Sequence, residues 1–336
     1  MGHRKQSAPR HGSMAFLPRK RAESMVARVR YWPQLKLDKP TPLAFAGYKV
    51  AMTQTMLIDD RDGSPTKGKE IAVPITIVEA PPLTAVGARI YANGTGEKRV
   101  AKEVWSPKLP PDVFRRLATM ENSHERGEAK IGAQEVPEGG EVRLIVCTQP
   151  RLTGSDKKKP EIFEVKVDGG SQDDVVNYVN STLGKEIKVR DVLKPGSFVD
   201  VFGITKGKGW QGVVKRYHVR ILDRKSNKTR RGIATMGAKS PSNVAYYIPR
   251  GGQMGYHQRP IRNIRILSIE SAAESPKMKG GFLRYGNIKS DCLLLEGSIQ
   301  GPSKRFLKLR YSARRADVVK EPPKLTHVSL VSQQGV

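Results

Sequence analysis

Cysteine is nearly absent: Cys147 and Cys292 are the only two in 336 residues, too few for a disulfide framework, and neither sits in a CxxC pair. A reducing, intracellular compartment is the expectation. Long apolar runs are missing too. No stretch approaches the roughly 20 residues that span a bilayer, and the basic residues do not lie along one amphipathic helix, so no membrane partner is expected. The opening MGHRKQSAPRHGSMAFLPRKR is basic but has no apolar core of about 7 to 15 residues, which argues against a secretory signal. Pro9, Gly12 and Pro18 would break an amphipathic targeting helix, so this stretch reads as part of the mature protein.

Acid is the other scarcity. Asp plus Glu number 32 against 60 Lys plus Arg, a formal net charge of +28, and such an excess favours a polyanionic partner, nucleic acid before any other. At 38% hydrophobic residues the chain can fill a real core, and its length suggests two domains.

The imbalance is uneven. Residues 97–190 hold 16 acidic and 17 basic residues, a charge of +1, which leaves +27 (28 − 1) on the remainder. The partner-facing surface therefore lies mostly outside that segment. Residues 1–44 carry 10 basic and 2 acidic residues and five prolines without a sustained period, the pattern of an extended arm that orders on a partner.

From Phe45 onward short β-rich runs take over: Tyr48 to Met52, Met56 to Ile58 and Ile71 to Val78, followed late in the chain by Ser197 to Thr205, Ile264 to Ile269, Cys292 to Ile299 and Phe306 to Tyr311. Such strands with turn signals between them predict a small antiparallel barrel or sandwich built from both ends of the sequence. The intervening segment reads as an α/β insertion. Val142 to Thr148 and Ile162 to Val167 are its strands, Asp112 to Met120 is one helix, and Ser171 to Leu183 is another, with Ser171 or Asp173 as cap and Gly184 as stop. The SDKKKP loop at 155–160 reads as solvated, with an RNA contact as the alternative.

Residues 204–265 contain 15 Lys or Arg and a single acid, Asp223. Eight glycines between Gly207 and Gly255 forbid one continuous helix, so the segment reads as a long irregular loop, a class that is usually functional or disordered. Trp210, Tyr217, His218, Tyr246, Tyr247, Tyr256 and His257 are interleaved with the cations. Cations neutralise phosphates, rings stack on unpaired bases, and glycine lets backbone approach closely, a combination that suits folded RNA better than duplex DNA. Trp210 or Tyr217 packing at the rim of the β structure is the plainer alternative.

Enzyme readings find little here. GITKGKG at 203–209 has three residues, not four, between Gly and GK, and Gly rather than Ser or Thr follows, so it is not a Walker loop. His218 and His257 have no nearby carboxylate in the sequence, and Asp223 reads as an ion-pair partner. No catalytic residue, metal ligand or cofactor is assigned.

ITKGKGWQGVVKRYHVR (204–220) followed by GGQMGYHQRP (251–260) resembles the universal large-subunit ribosomal protein L-three family, and HRKQSAPRHGSMAFLPRKRA (3–22), FAGYKVAMT (45–53), VPITIVEAPP (73–82), GGFLRYGNIKSD (280–291) and GSIQGPSKR (297–305) are similar to its archaeal and eukaryotic branch. Absence of the long C-terminal tail of eukaryotic members suggests the archaeal type. The resemblance implies a mainly β protein: a six-stranded barrel of the translation-protein type, an inserted α/β domain, an N-terminal extension and a basic finger reaching through rRNA toward the peptidyl-transferase region, with early binding in subunit assembly. The implied partners are large-subunit (23S-type) rRNA and neighbouring large-subunit proteins, in the cytoplasmic ribosome, with no membrane and no small-molecule substrate.

The corresponding division is an arm at 1–44, barrel at 45–85, insertion at 86–196, a barrel strand at 197–205, the finger at 206–262, barrel again at 263–320 and a tail at 321–336. The candidate rRNA contacts are Arg4, Lys5, Arg10, Arg19, Lys20 and Arg21 in the arm. In the finger they are Lys206, Lys208, Trp210, Lys215, Arg216, Arg220, Arg224, Arg230, Arg231, Lys239, Arg250, Gln253, His257, Arg259 and Arg262. Near the finger tip, family members have tryptophan after a Gly-Ala or Gly-Pro pair. Here Gly237 and Ala238 precede Lys239, which reads as a phosphate contact in place of stacking. An RNA-modifying or RNA-processing enzyme, which would need Asp223, and a non-ribosomal RNA chaperone are the competing readings.

Overall fold

The computed structural model describes residues 13–35, 37–93, 97–120, 130–137, 139–226, 229–237, 240, 242–314 and 321–331. The chain divides into two compact units, Met1–Met25 with Ile204–Arg259, and Val26–Gly203 with Pro260–Val336. The protein is mainly β, with several sheets.

In the second unit the runs Tyr48 to Met52 and Met56 to Ile58 belong to one strand, Ala44–Ile58. Its first half is buried throughout. Beyond Val50 the side chains alternate, with Met52 and Gln54 exposed and Thr55 and Leu57 buried, the period of a strand with one solvated face. The polar Thr53-Gln54-Thr55 stretch, which interrupts the apolar pattern, continues the ladder opposite Ile75, Pro74 and Val73. A register shift between Lys49 and Ala51 marks a bulge.

The large sheet runs in the order Phe306–Tyr311, Phe198–Ile204, Gln258–Glu270, Cys292–Glu296, Glu70–Glu79, Ala44–Ile58 and Leu325–Val328, and Phe306–Tyr311 also pairs with Ala44–Ile58. Leu309 thus lies opposite Val201 on one side and Phe45 on the other. All three are fully buried. Cys292–Glu296 is shorter than the predicted Cys292 to Ile299, because Gly297 turns the chain away at φ +81°. Gln258–Glu270 is longer than Ile264 to Ile269, since its basic residues Arg259 and Arg262 carry no apolar signal yet continue the strand.

The second sheet runs Thr41–Pro42, Ile162–Asp168, Glu141–Thr148, Leu83–Asn93 and Lys98–Trp105, with Glu186–Ile187 beside Leu83–Asn93. The strands Leu83–Asn93 and Lys98–Trp105 were not anticipated. Lys98–Trp105 exposes every residue up to Glu103, so no hydrophobic alternation announced it. Helix Gln172–Thr182 follows the predicted span: Ser171 accepts from the Asp174 N–H at 3.2 Å and Asp174 accepts from the Ser171 N–H at 3.0 Å, a capping box. Val175, Val176 and Val179 form its buried stripe. The helix expected over Asp112 to Met120 is a correction. It is a single turn, Pro111–Phe114, followed by a short 3₁₀ segment at Ala118–Met120. Val113 is the one residue that turn buries, and one apolar contact does not offset the nucleation cost of a longer helix.

The described residues of 26–40 have no helix or strand, yet Ala27 and Trp32 are buried in the core of this unit. Glu79, fully buried, ties three segments together. Its carboxylate accepts the N–H groups of Lys289 at 2.6 Å, Ser290 at 2.9 Å and Gly154 at 3.1 Å, and the hydroxyl of Tyr285. Burial beside this carboxylate pushes the Tyr285 phenol well above its ordinary range. Cys147 and Cys292 are buried free thiols, and desolvation pushes Cys147 up to about 12.

Candidate nucleic-acid interface

Glycine-rich, cation-rich sequence cannot build a core, so the described residues of 204–259 keep little regular structure. Trp210–Gln211 pairs with Gly252–Gln253, and the Lys208 and Met254 N–H groups bond to the Met254 and Gly209 carbonyls, each at 2.9 Å. Gly255 makes this approach feasible. It sits at φ +71°, and a Cβ there would lie 2.1 Å from the Lys206 carbonyl oxygen. Val213–Tyr217 forms just over one helical turn, burying Val213 and Tyr217 and ending at His218 in the left-handed region. Further out, the Leu222 N–H reaches the Arg230 carbonyl at 2.9 Å.

The arm segment 13–25 belongs to this same unit. Arg216 donates to three carbonyls: from Nε to Gln253 at 3.0 Å, from Nη1 to Arg250 at 2.9 Å and from Nη2 to Arg19 at 2.9 Å. Arg19 returns a bond from Nη1 to the Arg216 carbonyl at 2.7 Å. Both guanidinium groups lie over the Tyr217 ring, at 4.1 Å for Arg19 and 5.2 Å for Arg216. Tyr217 is therefore the buried partner of two cations rather than a free stacking surface.

His257 completes the clasp. Its Nε2 accepts the Gly255 N–H at 3.1 Å, so the proton resides on Nδ1 and is donated to the Lys20 carbonyl at 2.9 Å. Desolvation lowers its pKa below the usual imidazole value, with Arg259, Arg216 and Arg19 adding repulsion while the Lys20 bond opposes them. Arg259 lies 4.5 Å from the centre of the Phe16 ring. Gln253 turns its amide onto the carbonyls of Met254 and Gly255.

The remaining cations face outward. Lys20, Arg21, Lys206, Lys208, Lys215, Arg224, Arg230, Arg231 and Arg250 are exposed, and none has a carboxylate within ion-pair distance among the described residues. Arg220 alone meets an acid, Asp223 at 3.7 Å, both exposed. In the other unit several cations do meet acids: Arg89 and Arg143 share Glu164, Lys98 meets Glu141, Arg265 meets Asp60 and Arg310 meets Asp200. Trp210 is 79% exposed and Tyr246 is 80% exposed. Tyr246, although visible as an aromatic in the basic run, was not among the chosen contacts, and neither was the exposed Lys225. Arg262 falls in the other unit, exposed on the strand Gln258–Glu270. Arg4, Lys5, Arg10 and Lys239 lie outside the described residues.

The family model described as "Ribosomal protein L3" matches residues 1–335. The chain belongs to the ribosomal protein L3 family. Three archaeal relatives, each named large ribosomal subunit protein uL3, are similar over their whole length. That of Picrophilus torridus is 43% identical over 97% of this chain and 98% of the relative. Those of Sulfurisphaera tokodaii and Aeropyrum pernix are 42% and 41% identical, with full coverage of both sequences. In this L3-family chain no group of three His, Cys, Asp or Glu residues among the described residues could hold a metal ion. No helix among them is long and apolar enough to cross a membrane.

Proposed function

We propose that the chain is a structural protein of the large ribosomal subunit that binds large-subunit rRNA through its arm and its 206–262 finger, stabilises the RNA near the peptidyl-transferase region and enters early in assembly. Membership of the L3 family supports this, and one observation carries the mechanism: Lys206, Lys208, Lys215, Arg224, Arg230, Arg231 and Arg250, with Lys20 and Arg21 of the arm, are exposed and have no acid within ion-pair distance among the described residues. A surface of unpaired cations is self-repelling until an external polyanion neutralises it.

The contact residues divide by role in this reading. Lys20, Arg21, Lys206, Lys208, Lys215, Arg220, Arg224, Arg230, Arg231, Arg250 and Arg262 meet phosphates, and Trp210 stacks on an unpaired base. Arg19, Arg216, Gln253, His257 and Arg259 instead hold arm and finger in one shape. The circular order of pairings around Phe306–Tyr311 supports a closed six-stranded barrel made of 45–85, 197–205 and 263–320. The segment 86–196 is then the inserted α/β domain, 1–44 the arm and 321–336 the tail.

The test is binding of the purified protein to large-subunit rRNA across a salt series. Each neutralised phosphate contributes roughly 0.7 to 0.9 to the log–log slope, so the slope should be steep, and Lys206→Ala with Lys208→Ala should lower it by about 1.5. A flat salt response would overturn the proposal.

A further inference from the structure

The second unit holds a cavity of about 640 Å³ walled by the 26–32 stretch and by the second sheet, a size typical of sites for nucleotide-sized ligands. Its lining combines Trp32 and Trp105 with Arg143, Glu164 and Lys308. Lys308 is the unusual member. It is only 6% exposed, and its ammonium makes no hydrogen bond or ion pair among the described residues, resting 4.5 Å from the centre of the Phe163 ring. Burial holds its pKa down to about 8, while Glu164 and Glu161 oppose that shift. The Arg143 Nε, also buried, has no hydrogen-bond partner.

The other charges around the cavity are largely matched. Arg89 meets Glu103 and Glu164, Arg143 meets Glu141 and Glu164, and Arg116 meets Glu161 at 3.5 Å. A largely desolvated lysine whose ammonium faces the cavity without an acceptor is costly, and one negative charge at this spot would offset that cost. A bare inorganic ion would leave the tryptophan-lined remainder of the cavity unfilled, whereas a nucleotide supplies both an anion and a flat ring that stacks on indole whatever the base.

We infer that this cavity receives a single unpaired nucleotide of an RNA strand, its phosphodiester countering the Lys308 ammonium and its base lying against the tryptophan wall. This places a second RNA contact on the unit that contains the nearly charge-neutral segment 97–190. The inference rests on the rRNA-binding function proposed above.

The test uses the full-length protein with large-subunit rRNA as probe. Lys308→Met removes the charge and keeps the apolar stem; Trp105→Leu shrinks the aromatic wall without changing charge. For Lys308→Met the free protein should melt no lower than the wild type, while rRNA binding weakens three- to tenfold and the salt slope falls by roughly 0.7. A purely structural lysine would not give gains and losses of opposite sign. Trp105→Leu should weaken binding with an unchanged slope, and it keeps the test open if Lys308→Met does not fold. Wild-type affinity and slope in both variants, alongside weakened binding by the Lys206→Ala, Lys208→Ala double variant, would overturn the inference and leave the proposed function standing. Loss of effect in that double variant as well would overturn both. Protection of Lys308 from amine acylation by millimolar inorganic phosphate to the same degree as by rRNA would also overturn it, as a simple anion site.

Discussion

Arg19 and Arg216, 197 positions apart in sequence, each donate a side-chain hydrogen bond to the other's backbone carbonyl, at 2.7 and 2.9 Å, across the ring of Tyr217. Two cations approach because each is satisfied by carbonyl dipoles and by the ring's electron-rich face rather than by acid. The arm is thereby held to the base of the finger.

Replacing Arg216 should release that arm. Arg216→Ala removes three charge-assisted bonds, and with partial solvent access the local cost is on the order of 2 kcal/mol. Arg216→Lys should recover little, because an ammonium cannot reproduce the three-way guanidinium fork. Hydrogen exchange reads this at the Ala22 N–H, which bonds to the Tyr256 carbonyl at 2.8 Å and should lose protection in both variants.

The same clasp should weaken in acid. His257 has a lowered pKa in the folded protein, so the unfolded chain binds its proton first. Stability from this group is complete above the ordinary imidazole value of 6.5 and declines as pH falls through 6.5 toward the lower folded value. Protonation also removes the Nε2 lone pair that accepts the Gly255 N–H. Arm protection measured from pH 8 to pH 5 should fall in that window, and a pH-independent profile would show that His257 does not close the clasp.

Gly255→Ala tests the close approach directly. The new methyl would lie 2.1 Å from the Lys206 carbonyl oxygen at a backbone φ of +71°. The left-handed conformation alone costs roughly 1 to 2 kcal/mol, and the clash forces the Lys206 and Met254 segments apart. Limited proteolysis should then cut within 204–259 faster than in the wild type. Gly212→Ala, with open space at its Cβ, should not show this.

Glu79 should be far more sensitive than its type suggests. Glu79→Ala strands the N–H groups of Lys289, Ser290 and Gly154 and the Tyr285 hydroxyl, a loss of about 3 kcal/mol or more. Glu79→Gln keeps the shape but cannot accept all four donors with equal geometry, so its urea midpoint should fall between those of wild type and Glu79→Ala. An Ala variant with the wild-type midpoint would refute the clasp.

Most of the large sheet was legible because Ile71 to Val78, Phe306 to Tyr311 and the 198–204 run are apolar enough to declare themselves whatever they pair with. Ser171 and Asp174 likewise mark their helix locally. Lys98–Trp105 was not legible. Its face is polar, and it becomes a strand only because Leu83–Asn93 offers it an edge. The Asp112 to Met120 reading failed for the reverse reason: local propensity was present, but only Val113 found a core to enter.

The candidate interface follows the same division. Sequence alone determines that residues 204–265 carry 15 cations and one acid, because net charge is additive and needs no geometry. It thereby determines that the partner is a polyanion, and the glycine spacing rules out one continuous helix. Only the tertiary structure decided which cations remain free for that partner. Arg216 and Lys206 are both basic residues of the same segment. One is consumed by the carbonyls of Arg19, Arg250 and Gln253, and the other is left exposed without an acid, a distinction set by which backbone groups the fold brings within 3 Å.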